Sequence, residues 1–424
     1  MDTIFALSSG AAPAGIGVIR VSGPQAFTAI ERIAGSLPPP RTARVRALRD
    51  GQGALLDRAL VLVFPGPATA TGEDLAELHC HGGRAVIAAV SATLAEQPGL
   101  RPAVAGEFTR RALANGRIDL AEAAGLADLL SADTERQRIA ALSAAEGIVS
   151  QRVRGWLDRL AMLAALTEAQ LDFSEEDDVA ADDAALASIR AGKAALAAEL
   201  RSVLANPPVE RLRDGVHVVL AGPPNSGKST LVNLLSQREL AIVSPIAGTT
   251  RDRVEATVTR AGLVYVLTDT AGLTDSADPV ERIGVSRAEE SIARGDVLLW
   301  LGDEHPPRAD VIWVRARADE PGRAPVPDAD ISVSQGDGDS VERLWTAIAA
   351  RGERLMPRGD ALAFRESERV ACREALSVLD EDADDPLILG EQLRLATRAL
   401  ATILGVDATE AMLDTLFGRF CIGK

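Results

Sequence analysis

The stretch GVHVVLAGPPNSGKSTLVNLLSQ, residues 215–237, decides the fold of the middle of the chain. Within it, GPPNSGKS (222–229) fits the pattern G-x-x-x-x-G-K-[ST]. The apolar residues before this octet predict a strand, and the residues after it predict a helix. A glycine-rich loop in that position can wrap its backbone N–H groups around phosphates. The octet therefore predicts an α/β domain with a nucleotide-phosphate site, and the flanking strand and helix argue against a plain glycine-rich turn.

Side chains of the same loop complete the predicted phosphate site. Lys228 supplies charge to the β and γ phosphates, Ser229 offers a hydroxyl to Mg²⁺, and the N-terminus of the helix adds its dipole. The residues predicted to contact the nucleotide here are Asn225, Ser226, Gly227, Lys228, Ser229 and Thr230.

Two later segments, GTTRD (248–252) and DTAG (269–272), follow the octet in an order typical of translation-factor-like GTPases. Asp269 ends a predicted strand and is placed to hold Mg²⁺ through water, while Gly272 lets the backbone approach the γ-phosphate. Thr249 and Thr250 are placed to complete the Mg²⁺ shell. The nucleotide-contacting residues predicted from this region are Ser244, Pro245, Ile246, Ala247, Gly248, Thr249, Thr250, Asp269, Thr270, Ala271 and Gly272.

The residues leave the route of hydrolysis open. Leu273 stands where Ras-like GTPases often place a water-orienting Gln. The chain is therefore either a switch with almost no intrinsic activity or an enzyme that orients water from elsewhere, with Glu281 as a candidate. From its position alone, Glu281 is better explained as a solvated helix residue. Oxygens of Asn225 and of the loop 244–249 could ligate a monovalent cation that neutralises transition-state charge.

Recognition of the base departs from the usual N-K-x-D pattern, because the equivalent stretch is ARAD (316–319). Asp319 can still accept hydrogen bonds from guanine N1 and N2. The Asn is missing, and Arg317 replaces the Lys that stacks on the base. The affinity and selectivity for guanine are therefore open. Adenine, however, has no hydrogen-bond donors that match the carboxylate of Asp319.

The pattern of predicted strands and helices along the sequence indicates three kinds of domain. Residues 1–118 mix strands (15–23, 59–64, 75–81) with a helix (84–97) in an α+β pattern. Alanine-rich helices fill 119–210, strands and helices alternate over 211–354, and helices return over 355–424. The pair Pro207-Pro208 cannot continue a helix and predicts a boundary. Helices on both sides predict one discontinuous helical domain that is interrupted by an inserted Ras-like α/β domain.

Composition restricts the class of protein. No apolar run of eighteen or more residues occurs, so no membrane helix is expected. The formal net charge of −16 repels bare nucleic acid, and no long Lys/Arg run occurs. An RNA substrate is therefore expected to be held partly by a more basic partner. Three distant cysteines, Cys80, Cys372 and Cys421, suit a reducing cytoplasm.

The sequence resembles the MnmE (TrmE) family of tRNA uridine modification GTPases. The likeness rests on linked motifs along nearly the whole chain, which are GVIRVSG (17–23), TGEDLAELHCHGG (71–83), AGEFTRRALANGRIDLAEAAGLADLL (105–130), GPPNSGKSTLVN (222–233), IAGTTRD (246–252), DTAGL (269–273), VERIGVSRA (280–288) and FCIGK (420–424).

The resemblance implies a multidomain GTPase in which the N-terminal domain dimerises and binds 5-formyl- or 5,10-methylene-tetrahydrofolate. The folate residues at matching positions are Arg20, Glu77, Arg117 and Lys424, with Arg117 in place of the usual Lys. His79 and His81 project to one face of a strand and Cys80 to the other, so a shared metal is not expected and a place beside folate fits better. Cys421 lies in the C-terminal motif and is either a small buried residue or a functional thiol.

The resemblance also implies the ions and partners. G domains of a homodimer meet across the nucleotide, with K⁺ in the role of an arginine finger and Glu281 orienting water. The K⁺ ligands would be Asn225, Ser244, Ile246 and Thr249, and the Mg²⁺ ligands Ser229 and Thr250. An FAD-dependent partner, MnmG, joins in a heterotetramer-type complex to add a carboxymethylaminomethyl or aminomethyl group at C5 of the wobble uridine of certain tRNAs.

Two alternatives stay open at this point. One is a ribosome-assembly GTPase of the Era or Der kind, which the helical tail and FCIGK argue against. The other is a folate-binding scaffold with a degenerate G domain, for which the ARAD stretch is the reason.

Overall fold

The computed structural model describes residues 2–174, 183–237, 240–241, 255–270, 295–306, 308–321, 326–358, 362–406, 408–418 and 420–423. The chain divides into two compact units, each discontinuous in sequence. The first unit comprises Met1–Ser131, Ala141–Leu186 and Ala383–Lys424, and the second comprises Ala132–Ala140 and Ala187–Asp382. The domain boundaries drawn from the sequence stay a prediction.

A six-stranded sheet forms the centre of the first unit. Its strands are β1 (Thr3–Leu7), β2 (Ile16–Ser22), β3 (Arg44–Arg49), β4 (Leu55–Phe64), β5 (Leu75–His81) and β6 (Leu100–Pro102). They lie in the order β3-β4-β5-β2-β1-β6, and all neighbours are antiparallel except β1 and β6. The strands expected over 15–23, 59–64 and 75–81 are confirmed.

Successive side chains along each strand point to opposite sides of the sheet, and the two faces differ in their residues. Ile19 and Val21 are fully buried on the face covered by helices α1 (Ala26–Ala34) and α2 (Arg84–Ala95). The register places Arg20 beside Glu77 on the opposite face. That face is covered at its β1 end, where Phe108 packs on Ile4 and Ala6.

Helices complete the first unit, together with the C-terminal residues. Asp119 begins one of them with a capping box, since its side chain accepts from Glu122 N while Glu122 accepts from Asp119 N. Near the C-terminus, Ile422 bridges to Ala105. The helices are α3 (Glu107–Ala114), α4 (Leu120–Leu130), α6 (Ile148–Ser174), α12 (Pro386–Ala401), a 3₁₀ turn (Thr402–Leu404) and α13 (Glu410–Phe417), while α5 (Glu135–Ala145) and α7 (Asp183–Leu204) have residues in both units.

A seven-stranded sheet forms the centre of the second unit. Its strands are β7 (Val216–Ala221), β8 (Leu240–Ala241), β9 (Glu255–Arg260), β10 (Leu263–Asp269), β11 (Val297–Trp300), β12 (Ile312–Arg315) and β13 (Ile331–Ser332). The order is β13-β12-β11-β7-β10-β9-β8. Strands β10, β7, β11, β12 and β13 are parallel, and β9 and β8 add antiparallel pairings at one edge. The strand expected before the octet and the strand expected to end at Asp269 are confirmed as β7 and β10.

Helices α8 (Glu210–Asp214), α9 (Lys228–Ser236), α10 (Gly338–Leu355) and α11 (Glu366–Leu379) belong to the second unit. The largest buried rings of its core are Tyr265 and Trp345, whose centroids lie 5.1 Å apart in an edge-to-face arrangement. Since parallel strands end at a common edge of the sheet, the loops after β7, β10 and β12 meet there. This meeting point is the candidate site.

Among the residues that the structure describes, none of the helices combines the length and apolar composition needed to cross a bilayer.

Candidate nucleotide site

The loop after β7 takes the conformation that the octet predicts. Gly222 and Gly227 have φ of 151° and 96°, values that strongly favour glycine. Asn225 also has positive φ, at 61°, which asparagine tolerates better than most residues. Gly227 is the residue before helix α9, so the loop delivers the chain to the helix N-terminus. This geometry is an anion-binding loop.

Lys228, the first residue of α9, turns its ammonium group back over this loop. Its Nζ donates to the carbonyl oxygens of Gly222 (2.9 Å) and Pro223 (2.8 Å). The residue is only 5% exposed. These hydrogen bonds hold the ammonium group inside the loop, where it can contact a bound phosphate.

Two of the side chains predicted to act at Mg²⁺, Ser229 and Asp269, lie together. Ser229 Oγ donates to Asp269 Oδ2, joining the start of α9 to the end of β10. The parallel register of β10 and β7 sets Asp269 beside Leu220, and Thr270 Oγ1 donates to Leu220 O (2.8 Å). A hydroxyl and a carboxylate at one point are the oxygen ligands that Mg²⁺ takes in phosphate sites, so these residues fit the ion.

The ARAD loop (316–319) contacts the phosphate-binding loop (222–229) through the side chain of Arg317. Arg317, at φ 58°, donates from Nη1 to Asn225 O (2.9 Å) and forms an ion pair with Glu320. Its aliphatic carbons lie against Gly227. Arg317 therefore links the two loops, a contact that the sequence did not predict, because the partners are 92 positions apart.

These loops surround a cavity of about 1350 Å³. Asp319 is exposed on its wall. Trp300 and Glu304 also line the cavity and were not foreseen as site residues. The predicted nucleotide residues on the wall are Asn225, Gly227, Lys228, Ser229, Thr230, Thr270 and Asp319. Ser226 lies beneath them as a buried residue whose hydroxyl has no hydrogen-bond partner within the described ranges.

The remaining predicted residues of this site lie outside the described residues, and so does one folate residue. They are Ser244, Pro245, Ile246, Ala247, Gly248, Thr249, Thr250, Ala271, Gly272, Glu281 and Lys424.

On the first unit, the structure brings two of the predicted folate residues together. Arg20 Nη2 lies 3.0 Å from Glu77 Oε1, and His79 Nε2 lies 3.2 Å from Glu77 Oε2. Burial acts to raise the pKa of Glu77, but the hydrogen bonds from His79 and Arg20 outweigh it and hold the pKa below its usual range. The third predicted folate residue, Arg117, donates from Nε to Thr69 O (3.2 Å).

The histidines and cysteines are used separately. His81 Nδ1 pairs with Asp57 Oδ1 at 2.7 Å, and no cluster of metal-ligating side chains occurs in the described part of the chain. Burial raises the pKa of the Cys80 and Cys372 thiols to about 12, which leaves both unreactive. Cys421 is exposed, so the alternative of a small buried residue is wrong for this cysteine.

Comparison with known proteins adds the family. The model described as "GTP-binding protein TrmE N-terminus" matches residues 3–117, and the model described as "MnmE helical domain" matches 120–421. A tRNA modification GTPase MnmE of Sphingopyxis alaskensis is 51% identical over 96% of this chain and all of its own length. Another, of Rhizorhabdus wittichii, is 53% identical over all of this chain and 97% of its own. The G domain of the T. maritima FeoB iron transporter aligns with 32% of this chain and 98% of its own at 23% identity and a TM-score of 0.24, a likeness too low to carry an argument.

Proposed function

Because the chain belongs to the MnmE (TrmE) family of tRNA modification GTPases, we propose that it binds and hydrolyses GTP and takes part in tRNA modification. The observation that carries the proposal is the loop of residues 222–229. There Lys228 is buried against loop carbonyls while Ser229 meets Asp269. This pairing of a cation with an oxygen-ligand site is what a Mg²⁺-bound nucleoside triphosphate requires.

The roles of these residues follow from their chemistry. Backbone N–H groups of the loop and the Lys228 ammonium bind the phosphates, and Mg²⁺ held by Ser229 and Thr250 supplies charge neutralisation when bound. Asp269 accepts a hydrogen bond from Ser229 and orients that hydroxyl. Asp319 accepts from the guanine base, and Arg317 holds its loop in place.

For hydrolysis we propose that Glu281 orients the attacking water and that K⁺ sits at Asn225, Ser244, Ile246 and Thr249 in a homodimer of G domains. GTP turnover should then be stimulated by K⁺ and be low in Na⁺. Glu281→Ala should abolish turnover and spare nucleotide binding. Turnover that ignores the choice of cation, or loss of nucleotide binding in the Glu281 variant, contradicts these roles.

For the first unit we propose a reduced folate as ligand, held by Arg20, Glu77, Arg117 and Lys424. The half-buried pair of Arg20 and Glu77 supports this, because it offers a cation and a carboxylate on a sheet face. Arg20→Ala should weaken binding of 5-formyl-tetrahydrofolate and leave GTP hydrolysis unchanged. An unchanged folate affinity removes Arg20 from the site.

For the whole reaction we propose that the chain works in the cytoplasm with the FAD-dependent MnmG on C5 of the wobble uridine. The test is mass spectrometry of tRNA nucleosides from a strain that lacks the gene. Loss of the modified uridine is expected, and unchanged nucleosides refute the assignment.

One specific observation favours a second candidate, a folate-binding scaffold whose G domain no longer turns over. It is the presence of Ala316 where an Asn would meet the base. This candidate predicts no hydrolysis in either K⁺ or Na⁺. The Era or Der alternative is not supported, because the family matches extend over residues 3–117 and 120–421.

A further inference from the structure

Five arginines lie on or next to strand β3, the outer strand of the sheet in the first unit. Residues 41–58 contain Arg41, Arg44, Arg46, Arg49 and Arg58, a group that we call the arginine edge. Strand β3 is an outer strand of the sheet and pairs with β4 on one side. All five side chains belong to exposed or half-buried residues.

Within the described part of the chain, none of the five forms an ion pair. Arg41, Arg46 and Arg49 donate to backbone carbonyls, those of Ala68, Ser36 and Gly53 among them. These contacts position the guanidinium groups and leave their charge uncompensated.

The two carboxylates in the same stretch are engaged by other groups. Asp50 Oδ1 accepts from the backbone N–H groups of Gln52 (2.9 Å) and Ala54 (2.8 Å) and closes the turn after β3. Asp57 accepts from the N–H of His81 and from its ring, at 2.8 and 2.7 Å. The arginine edge therefore keeps a local excess of positive charge in a chain of formal net charge −16.

The strand sets the spacing of these charges. Arg44 and Arg46 are two residues apart on β3, so they project to one face about 7 Å from each other. Arg58 lies opposite Ala47 and projects to the other face. Arg44 and Arg46 lie opposite the buried residues Val61 and Ala59, so they form a pair of cations at the outer margin of the helix-covered face. A pair of cations at this spacing matches neighbouring anions of a nucleic acid backbone.

We propose that the arginine edge binds the phosphate backbone of the RNA substrate. The inference rests on the proposed function, and it assigns this chain its own RNA-binding surface besides any that a partner supplies. Contacts of this kind position the RNA and carry no sequence information. Charged edge strands also prevent edge-to-edge aggregation, a role that does not need a ligand, and the experiment separates the two.

The test measures how salt affects binding of unmodified bulk tRNA to the full-length chain. Each phosphate contact contributes about 0.7–0.9 to the slope of log K against log salt concentration. In the double variant Arg44→Gln, Arg46→Gln the slope should become shallower by about 1.4–1.8. If the two proteins bind equally at 1 M salt, this difference in slope corresponds to an affinity about 15–30-fold lower for the variant at about 0.15 M salt.

The matched control is the double variant Arg308→Gln, Arg394→Gln. It removes the same charge, giving −18 from −16 in both cases, but from exposed arginines paired with Asp310 and Glu391. Its salt slope should equal that of the wild type. GTP turnover and the thermal melting profile should be unchanged in both variants. The melting profile is needed because turnover reports on the second unit, whereas Arg44 and Arg46 lie in the first.

The outcomes are distinct. An unchanged slope in the Arg44, Arg46 variant overturns the inference, and the wild-type chain can still pass the uridine test of the proposed function. If the Arg44, Arg46 variant keeps the wild-type salt slope for tRNA but no longer binds an acidic protein partner, the arginine edge is a protein-docking surface. That result refutes RNA binding at this edge. A wild-type chain with no tRNA affinity and no effect on wobble uridine refutes both proposals.

Discussion

Replacing Gly227 with alanine tests whether the phosphate loop must hold its observed backbone. At φ 96°, an L-residue costs about 1–2 kcal/mol, which the free protein can avoid by relaxing the loop. Binding of nucleotide must then restore the strained form, so the dissociation constant for GTP should rise about 5- to 30-fold. The new Cβ would also lie 3.2 Å from Arg317 Cδ, and part of the effect should come from displacing that side chain.

Fluorescence titration with a labelled guanine nucleotide measures this effect directly. The control is Gly155→Ala, the same change on helix α6, where a Cβ meets nothing within 4 Å and nucleotide affinity should not change. Adding Arg317→Ala to Gly227→Ala removes the close contact but not the strain, so most of the loss should persist. If Gly227→Ala binds GTP within about twofold of wild type, the loop conformation is not what holds the phosphates.

Three further changes probe the core, the sheet face and the base. Trp345→Ala should lower the free energy of unfolding in urea by about 3–5 kcal/mol, because Trp345 is fully buried. Trp345→Phe should lower it much less, because Nε1 of Trp345 has no hydrogen-bond partner within the described ranges. Equal losses in the two variants contradict this. Because the folded pKa of Glu77 is depressed, its stabilisation is present above the ordinary value of 4.5 and is lost as pH falls through the lower folded value. The melting temperature of Glu77→Gln should therefore fall less steeply than that of the wild type as the pH drops below 4.5. Parallel declines refute a stabilising role for the ionised Glu77. Asp319→Ala should reduce the preference for GTP over ATP in competition binding, and an unchanged preference moves base recognition elsewhere.

The sequence predicted the central strands of the second unit well, because β7 and β10 are continuous apolar runs between turn residues. It predicted the meeting of Ser229 with Asp269 through motif order alone. Arg317 stands at the position of the Lys that usually stacks on the base. Its contact with Asn225 was not predicted, because it depends on the geometry of two loops distant in sequence, for which no local pattern exists.

The arginine edge escaped the sequence analysis for a different reason. The segment RTARVRALR (41–49) contains no long basic run, because its arginines are separated by one or two other residues. Successive side chains of a strand point to opposite faces of the sheet, so Arg44 and Arg46 share one face of β3 with Val45 between them. Four arginines with no acidic residue among the nine residues 41–49 were the available signal.

The closure of the first unit by its own C-terminal residues has a consequence during synthesis. Ser8 Oγ donates to Gly423 O at 2.8 Å, across 415 positions of the chain. At ribosomal speeds of about 5–20 residues per second, the end of β1 waits roughly 20–80 s for this partner. During that interval the nascent polypeptide exposes the apolar surface that Phe417 and Phe420 later cover, which favours aggregation until these residues have been synthesised.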